Sequence, residues 1–258
     1  MSKSFTLNYH TAKRKLISDF LLWRNTVTTK NRFDINNPFL NMLDKNVDLY
    51  KVYINHDDTL YRGRIFNINE LIDNDRQMNS FLNYQGPFQG YSAIGSGAPP
   101  AGKTTEGRLN CKGIPYLYTS DSIKTAVYEL RPICREIISV AECIPKNKLL
   151  FADCTQYSSK SVQDYDLQLS WLLREISLEF SRPHYAWRNY WFTQYLAGHF
   201  YNMGFDGVVF ESSLNKNGKN YVFFHPEDCE IISSTLIKVD NIDITYKPTD
   251  RNSEFSDY

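Results

Sequence analysis

The sequence predicts an α+β fold, in which compact mixed or antiparallel sheets are flanked by helices, with a helical extension at the N-terminus. Strand-like apolar segments occur in clusters, and amphipathic segments of helical period lie between only some of them. This pattern favours α+β over a doubly wound parallel sheet, in which strands and helices alternate regularly. With 258 residues, 42% of them hydrophobic, the chain is long enough for one large domain with an extension.

The first segment predicts an amphipathic helix over residues 9–30, where Leu16, Phe20 and Val27 recur at near-helical spacing. A polar, asparagine-rich connector follows this helix. The role of the extension is left open between binding a partner, gating a pocket and forming a dimer. The expected parts of the chain are the helical extension over 1–55, a catalytic domain over 56–240 and a polar C-terminal tail over 241–258.

The segment 59–66 alternates between two faces and predicts a strand. Arg62 and Arg64 share one face with two apolar residues, and Tyr61 lies on the other face. Arginines on an apolar face occur either in an edge strand, where they reach solvent, or in a strand that lines an anion pocket. The alternation alone does not decide between these two interpretations.

The rest of the chain is expected to form a long loop followed by strands and helices. Residues 67–107 are rich in glycine and proline, and so long an irregular run is typical of a lid or a binding loop. Asn217-Gly218 is a strong hairpin turn between two apolar segments. Further strands are expected over 115–119, 135–144, 149–153, 206–211, 221–224 and 230–239. Further helices are expected after a cap at Ser120 or Asp121, over 164–180 and over 187–203.

Composition argues against several classes of protein. The 29 basic and 29 acidic residues balance, which speaks against a nucleic-acid-binding surface, and no apolar run is long enough for a membrane span. The five cysteines lack metal-ligand spacing and the five histidines form no local cluster, so we expect no metal. The odd number of cysteines and an N-terminus without an apolar leader indicate a reducing, cytoplasmic compartment in which the thiols are free.

One motif points to a different function. Residues 97–104 read GAPPAGKT and match the P-loop of nucleotide triphosphatases, and residues 149–153 supply an apolar strand that ends in an aspartate. A P-loop joins a buried strand to a helix, because the helix N-terminus contributes its amides and dipole. Neither flank has that pattern, and two prolines remove amides from the loop. The sequence therefore keeps a P-loop enzyme only as a weak alternative.

The segment 107–132 contains three side chains suited to a phosphorylated, positively charged nucleotide. Arg108 can pair with phosphate oxygens, and Tyr118 offers an aromatic face for stacking. Glu129 lies at the flank of the apolar stripe of its helix, where it is either a solvated glutamate or a carboxylate that reaches into a cleft. In a cleft it would face the positive charge that develops when a glycosidic bond breaks.

These residues belong to a series of motifs that resembles the RES domain family, which is named after its Arg, Glu and Ser. The motifs occur in the family's order between about residues 58 and 226 and leave the N-terminal extension uncovered. They comprise Tyr61-Arg62-Gly63-Arg64, Gly107-Arg108-Leu109-Asn110 with Gly113, Leu117-Tyr118, Thr125-Ala126, Glu129-Leu130-Arg131-Pro132, Tyr190 with Thr193-Gln194, Gly204-Phe205-Asp206-Gly207, Phe210-Glu211-Ser212-Ser213, and Asn220 before an apolar strand.

The resemblance implies an ADP-ribosyltransferase-like fold and an enzyme that consumes NAD+ with water or phosphate as acceptor, hence a glycohydrolase or a phosphorylase. It also implies a bacterial toxin or defence effector that a helix-turn-helix antitoxin of the Xre type neutralises, and it leaves a homo-oligomer open. The catalytic arginine, glutamate and serine of the family fall on Arg62, Glu129 and Ser212. The further NAD-pocket positions fall on Tyr61, Arg64, Arg108, Tyr118 and Ser213.

Some assignments stay open within the resemblance. Ser213 is an alternative to its neighbour Ser212, and Arg64 is an alternative to Arg62 on the same strand face. An ADP-ribosyltransferase that modifies a macromolecule, or a binding module that holds a nucleotide without turning it over, would use the same pocket.

Overall fold

A computed structural model of the protein describes residues 2–33, 37–67, 89–155, 167–182 and 190–243. The helices of these ranges are α1 (Ser2–Thr29), α2 (Pro38–Lys45), α3 (Val47–Tyr50), α4 (Ala93–Ser96), α5 (Ile123–Glu129), α6 (Leu167–Ser181) and α7 (Trp191–Asn202). The strands are β1 (Lys51–Ile54), β2 (Leu60–Ile65), β3 (Leu117–Ser120), β4 (Ile137–Pro145), β5 (Leu149–Asp153), β6 (Gly207–Glu211), β7 (Lys219–Phe223) and β8 (Cys229–Lys238).

The described strands form one mixed sheet in the order β1-β5-β6-β7-β3-β2-β4-β8. Neighbouring strands are antiparallel except for β5 and β6, which are parallel. β6 and β7 form the predicted hairpin, in which Asn217 has a φ of 65°, a left-handed conformation that asparagine tolerates. The predicted α+β class, a mixed sheet with flanking helices, is confirmed.

The largest hydrophobic core lies between the sheet and the helices α1, α2, α6 and α7. Phe20 and Trp23 of α1 pack against Phe39 of α2 and Phe192 of α7, with ring centroids 5.0 to 5.8 Å apart. Burying each such side chain stabilises the fold by about 1.5–3 kcal/mol. The N-terminal helices therefore share a core with the sheet, while the predicted domain boundaries near residues 55 and 240 stay predictions.

Two predictions about local structure were wrong. Residues 51–54, assigned to the helical extension, form β1 and pair antiparallel with β5, because Val52 and Ile54 face a second core under the sheet. Helix α5 is capped by Ser122 rather than by Ser120 or Asp121, since the Ser122 hydroxyl accepts a hydrogen bond from the first turn of the helix.

Several predicted features lie wholly or partly outside the described residues. They are the loop residues 68–88, the helical residues 164–166 and 187–189, and the tail residues 244–258. Among the helices that the structure describes, none is long and apolar enough to cross a membrane. All five cysteines are free thiols.

Candidate active site

A cavity of about 590 Å³ opens where β2 and β3 separate. β2 pairs with β4 over the six residues from Leu60 to Ile65, but with β3 only through Tyr61 and Ser120. The space left by the missing pairs is bounded by both strands, by α5 and by the loop that carries Arg108. Its volume lies in the range of small-molecule and cofactor sites, about 300–1,000 Å³.

Helix α5 carries Glu129 to the cavity. The helix packs close to β2 because Gly63 has no side chain: a Cβ there would lie 2.9 Å from Leu130 Cδ1 and 3.0 Å from the carbonyl oxygen of Ala126. The helix ends at Glu129, and Arg131 then adopts a left-handed conformation with a φ of 51° before a proline. The sequence thus places a carboxylate at the last position of a helix that lines the cavity.

The Glu129 carboxylate is held by three side chains from different parts of the fold. Ser212 Oγ and Asn220 Nδ2 each donate a hydrogen bond to Glu129 Oε1 at 2.7 Å. Arg108 Nη2 lies 4.0 Å from Glu129 Oε2, and only 20% of the Glu129 side chain is exposed. The alternative of a solvated helix glutamate is therefore wrong, and both the position and the orientation of the carboxylate are fixed.

Asn220 is itself oriented by a second hydrogen bond. Ser120 Oγ donates to Asn220 Oδ1 at 2.8 Å, and Asn220 is almost completely buried in β7. Because the amide oxygen is occupied by this hydroxyl, the amide nitrogen is directed at Glu129. The orientation of Glu129 is therefore coupled to the pairing of β3 with β7.

Arg108 is presented to the carboxylate by a bonded loop. Its Nη1 donates to the carbonyl oxygen of Phe180 at 2.9 Å, and the Thr193 hydroxyl donates to the carbonyl oxygen of Arg108 itself. Gln194 Nε2 donates to the carbonyl oxygen of Gly107 at 3.1 Å. Helices α6 and α7 thus set the position of this arginine.

Tyr118 supports the same loop through its hydroxyl. This group accepts a hydrogen bond from Leu109 N at 3.0 Å and donates one to Asn110 Oδ1 at 2.8 Å. Burial raises the pKa of the Tyr118 hydroxyl above its ordinary value. Gly107 is required for this packing, because a Cβ there would lie 2.1 Å from Asn110 Oδ1 and 3.0 Å from the Tyr118 hydroxyl oxygen.

Arg62 is a buried cation at the wall of the cavity. β2 is an internal strand, so the interpretation as an edge strand with solvated arginines is wrong. Arg62 Nη1 donates to the carbonyl oxygen of Tyr118 at 2.9 Å, while its buried Nε has no partner. Burial is the main cause of the lowered pKa of Arg62, and the nearby positive charge of Arg64 adds a smaller decrease. A buried arginine stays protonated in spite of this cost and attracts an anion.

The charges around the cavity favour an anionic ligand. Three of the described lining residues are arginines, Arg62, Arg64 and Arg108, and one is an acid, Glu129, so the formal charge is +2. Arg64 Nη1 donates to the carbonyl oxygen at Gly95, and its guanidinium lies over the ring of a neighbouring tyrosine. Arg62 and Arg64 therefore both line the cavity, with different partners.

Six of the sequence-predicted site residues line the cavity, whereas the two serines, Ser212 and Ser213, lie outside its lining. Ser213 Oγ donates to the carbonyl oxygen of Ser181 at 2.8 Å and does not contact Glu129, so of the two serines it is Ser212 that contacts the carboxylate. The predicted residues that line the cavity are Tyr61, Arg62, Arg64, Arg108, Tyr118 and Glu129.

Asn220 and Tyr190 also line the cavity, and no role was predicted for either of them. Burial raises the pKa of the Tyr190 hydroxyl. Both residues belong to the motifs on which the family resemblance rests. The sequence does not show that Asn220 lies beside Glu129 or Tyr190 near Arg108, because distant strands and helices bring these residues together.

The GAPPAGKT segment does not have the surroundings of a P-loop. It follows the four-residue helix α4 rather than a strand, and no helix begins after it within residues 97–116. The Thr104 hydroxyl donates to the carbonyl oxygens of Pro99 and Pro100. Over the part of the chain that the structure describes, no group of three or more His, Cys, Asp or Glu side chains could hold a metal ion.

Comparison with known proteins identifies the family. No curated protein sequence matches the chain. A chain in the crystal structure of the M. tuberculosis MbcT–MbcA toxin–antitoxin complex is similar, with 11% identity, a TM-score of 0.43, and coverage of 79% of this chain and 93% of that one. A family model described as the RES domain matches residues 81–245, well over half of the sequence. The chain therefore belongs to the RES domain family.

Proposed function

We propose that this protein cleaves the nicotinamide–ribose bond of NAD+, as a glycohydrolase or a phosphorylase. The observation that carries the proposal is the Glu129 carboxylate, which Ser212 and Asn220 orient in a cavity whose other described charges are arginines. Membership of the RES domain family supports the same substrate, because the family resemblance implies degradation of NAD+.

The two kinds of charge in the cavity match the two ends of this substrate. NAD+ carries a pyrophosphate with two negative charges and a positively charged nicotinamide ring. Arg62, with its unpaired Nε, and Arg108 are suited to the pyrophosphate or to orienting Glu129, because guanidinium groups bind phosphate oxygens through paired N–H donors. Glu129 is suited to the ribose next to the positive ring. Tyr61 and Tyr190 offer aromatic surface for the nicotinamide or its ribose.

Cleavage of the nicotinamide–ribose bond requires an ionised carboxylate rather than a general acid that donates a proton. When the bond between ribose C1′ and the ring nitrogen breaks, its electron pair neutralises the pyridinium, so nicotinamide leaves uncharged and needs no proton. The ribose becomes an oxocarbenium ion, and Glu129 stabilises that charge more strongly than it stabilises the ground state. Water then adds at C1′ and releases a proton, which gives ADP-ribose, or phosphate adds and gives its 1-phosphate.

Product analysis tests the proposal. Purified protein is incubated with labelled NAD+ in buffers with and without phosphate, and the products are separated and identified by mass spectrometry. The proposal expects free nicotinamide in both buffers or only with phosphate, together with ADP-ribose or its phosphate. NAD+ that stays intact in both buffers, or label from NAD+ that appears on protein or nucleic acid, contradicts it.

The biological role we propose is that of a cytoplasmic toxin or defence effector whose activity resides in residues 56–240. The family resemblance supports this role and suggests an Xre-type helix-turn-helix antitoxin as partner. Growth of cells that express the wild type or Glu129→Ala from the same promoter tests it. The toxin should arrest growth and the variant should not, and a neighbouring gene for a small helix-turn-helix protein should restore growth. Equal growth with both proteins argues against a toxin.

A further inference from the structure

The last turn of α6 contacts the candidate active site through a backbone carbonyl. The oxygen of Phe180 accepts the hydrogen bond of Arg108 Nη1 at 2.9 Å. The final carbonyls of a helix have no partner within the helix and carry the negative end of its dipole, so they attract a guanidinium. This turn therefore holds the arginine that lies 4.0 Å from Glu129.

The same turn also holds the segment that carries Ser212. The hydroxyl of Ser177 accepts a hydrogen bond from the amide of Glu211 at 3.0 Å, and the carbonyl oxygen of Ser181 accepts one from Ser213 Oγ at 2.8 Å. These two bonds lie on either side of Ser212 in the sequence. One helical turn, Ser177–Ser181, thus fixes both Arg108 and Ser212 against Glu129, and we call it the α6 platform.

A partly buried ion pair ties the α6 platform to α1. Glu179 lies in the platform with only 6% of its side chain exposed, and its Oε1 lies 2.7 Å from Arg24 Nη1 and 2.7 Å from Arg182 Nη1. Removing Arg24 would leave the poorly solvated Glu179 carboxylate paired with Arg182 but without its link to α1. Arg24 belongs to α1, which lies outside the segment that the family model matches.

We infer that Arg24 and Glu179 are positioning residues for the site: the N-terminal helix sets the Arg108–Glu129–Ser212 geometry through the α6 platform. This gives the extension a role within the same chain, distinct from partner binding. The inference rests on the proposed function for what the site does, and it is tested by one readout that needs no NAD+ and one that does.

Hydrogen exchange provides the first test. The variants are Arg24→Ala, the conservative Arg24→Lys, and Arg14→Ala as a matched control, because Arg14 is exposed on the same helix. The amides of residues 211, 214 and 215 donate to Ser177 and Ser212 hydroxyls, so they report the segment directly. We expect these amides to exchange about tenfold faster in Arg24→Ala, less so in Arg24→Lys, and at the wild-type rate in Arg14→Ala. Unchanged exchange at these amides in Arg24→Ala, or an equal acceleration of the amides of β4, overturns the inference.

A double-mutant cycle provides the second test. If Arg24 acts through Arg108 and Ser212, then Arg24→Ala lowers kcat/KM for NAD+ by about tenfold in the wild type but by less than about twofold in the Arg108→Ala/Ser212→Ala background. A role in stability alone predicts the same fold-loss in both backgrounds and overturns the inference. If the wild type does not turn over NAD+, the proposed function fails, and the exchange experiment still decides the positioning role.

Discussion

Replacing Asn220 with aspartate tests how Glu129 is oriented. Asn220→Asp is isosteric and keeps the acceptor for Ser120, but it replaces the donor that lies 2.7 Å from Glu129 Oε1 with a second carboxylate. The lost hydrogen bond to a charged group is worth about 1.5–3 kcal/mol. Two full charges at that separation would repel by about 6 kcal/mol at an effective dielectric constant of about 20. The pair therefore binds a proton more readily than two separate carboxyls would.

The assay is nicotinamide release as a function of pH. Near about pH 8 we expect kcat/KM to fall about 100-fold, because the aspartate turns away or repels Glu129. The loss should shrink as the pH falls toward about 5, since a protonated aspartate can donate to Glu129 again. Asn217→Asp, in the exposed turn of the same hairpin, adds the same charge away from Glu129 and should keep wild-type activity. A loss below about threefold at high pH, or one that does not depend on pH, refutes the reasoning.

Three further predictions concern packing, buried charge and alkaline pH. Gly107→Ala forces a Cβ to within 2.1 Å of a side-chain oxygen and should lower both Tm and activity. Gly198→Ala, whose Cβ would have nothing within 4 Å, should leave activity unchanged and raise stability. Equal Tm shifts in the two variants contradict this packing argument. Arg62→Met removes a buried cation and should keep or raise Tm. The same variant should bind ADP-ribose about tenfold or more weakly, as measured by calorimetry. Unchanged affinity for ADP-ribose contradicts a phosphate-binding role of Arg62. Burial raises the pKa values of Tyr116 and Tyr221 from 10 to about 12, so their neutral forms stabilise the folded state below pH 10 and this contribution is lost between pH 10 and 12. The urea midpoint should therefore decrease as the pH rises from about 10 to about 12, and a midpoint that stays constant over this range contradicts the shifts.

Most of the fold followed from local patterns in the sequence. Residues 149–153 were predicted as a strand and form β5 at those bounds, because a short apolar run next to turn residues has few other structures available. Residues 51–54 were missed, since a four-residue strand directly after a helix has too short a pattern to be recognised. Its pairing with β5, about a hundred residues away, creates the strand.

The site was predictable only in part. Arg62, Arg108, Tyr118 and Glu129 were singled out by residue type and by the family resemblance, and the fold brings all four to one cavity. The contact of Asn220 with Glu129 joins residues 91 apart, and no local pattern encodes a contact of that kind.

The hydroxyl of Tyr118 shows the same limit of local patterns. The sequence suggested a stacking surface, but the hydroxyl is bonded within the loop of Leu109 and Asn110, which only the folded backbone brings to it. Its contribution to the site is therefore in part to hold the loop that presents Arg108.

The central claim is that the charge of Glu129 drives cleavage of NAD+. The most direct measurement is the rate of nicotinamide release by the wild type and by Glu129→Gln, which keeps the size of the side chain and an oxygen that can accept from Ser212 and Asn220. We predict release by the wild type and a rate at least about 100-fold lower for the variant, at similar Tm. A variant within about threefold of the wild type, or a wild type that leaves NAD+ intact, contradicts the claim.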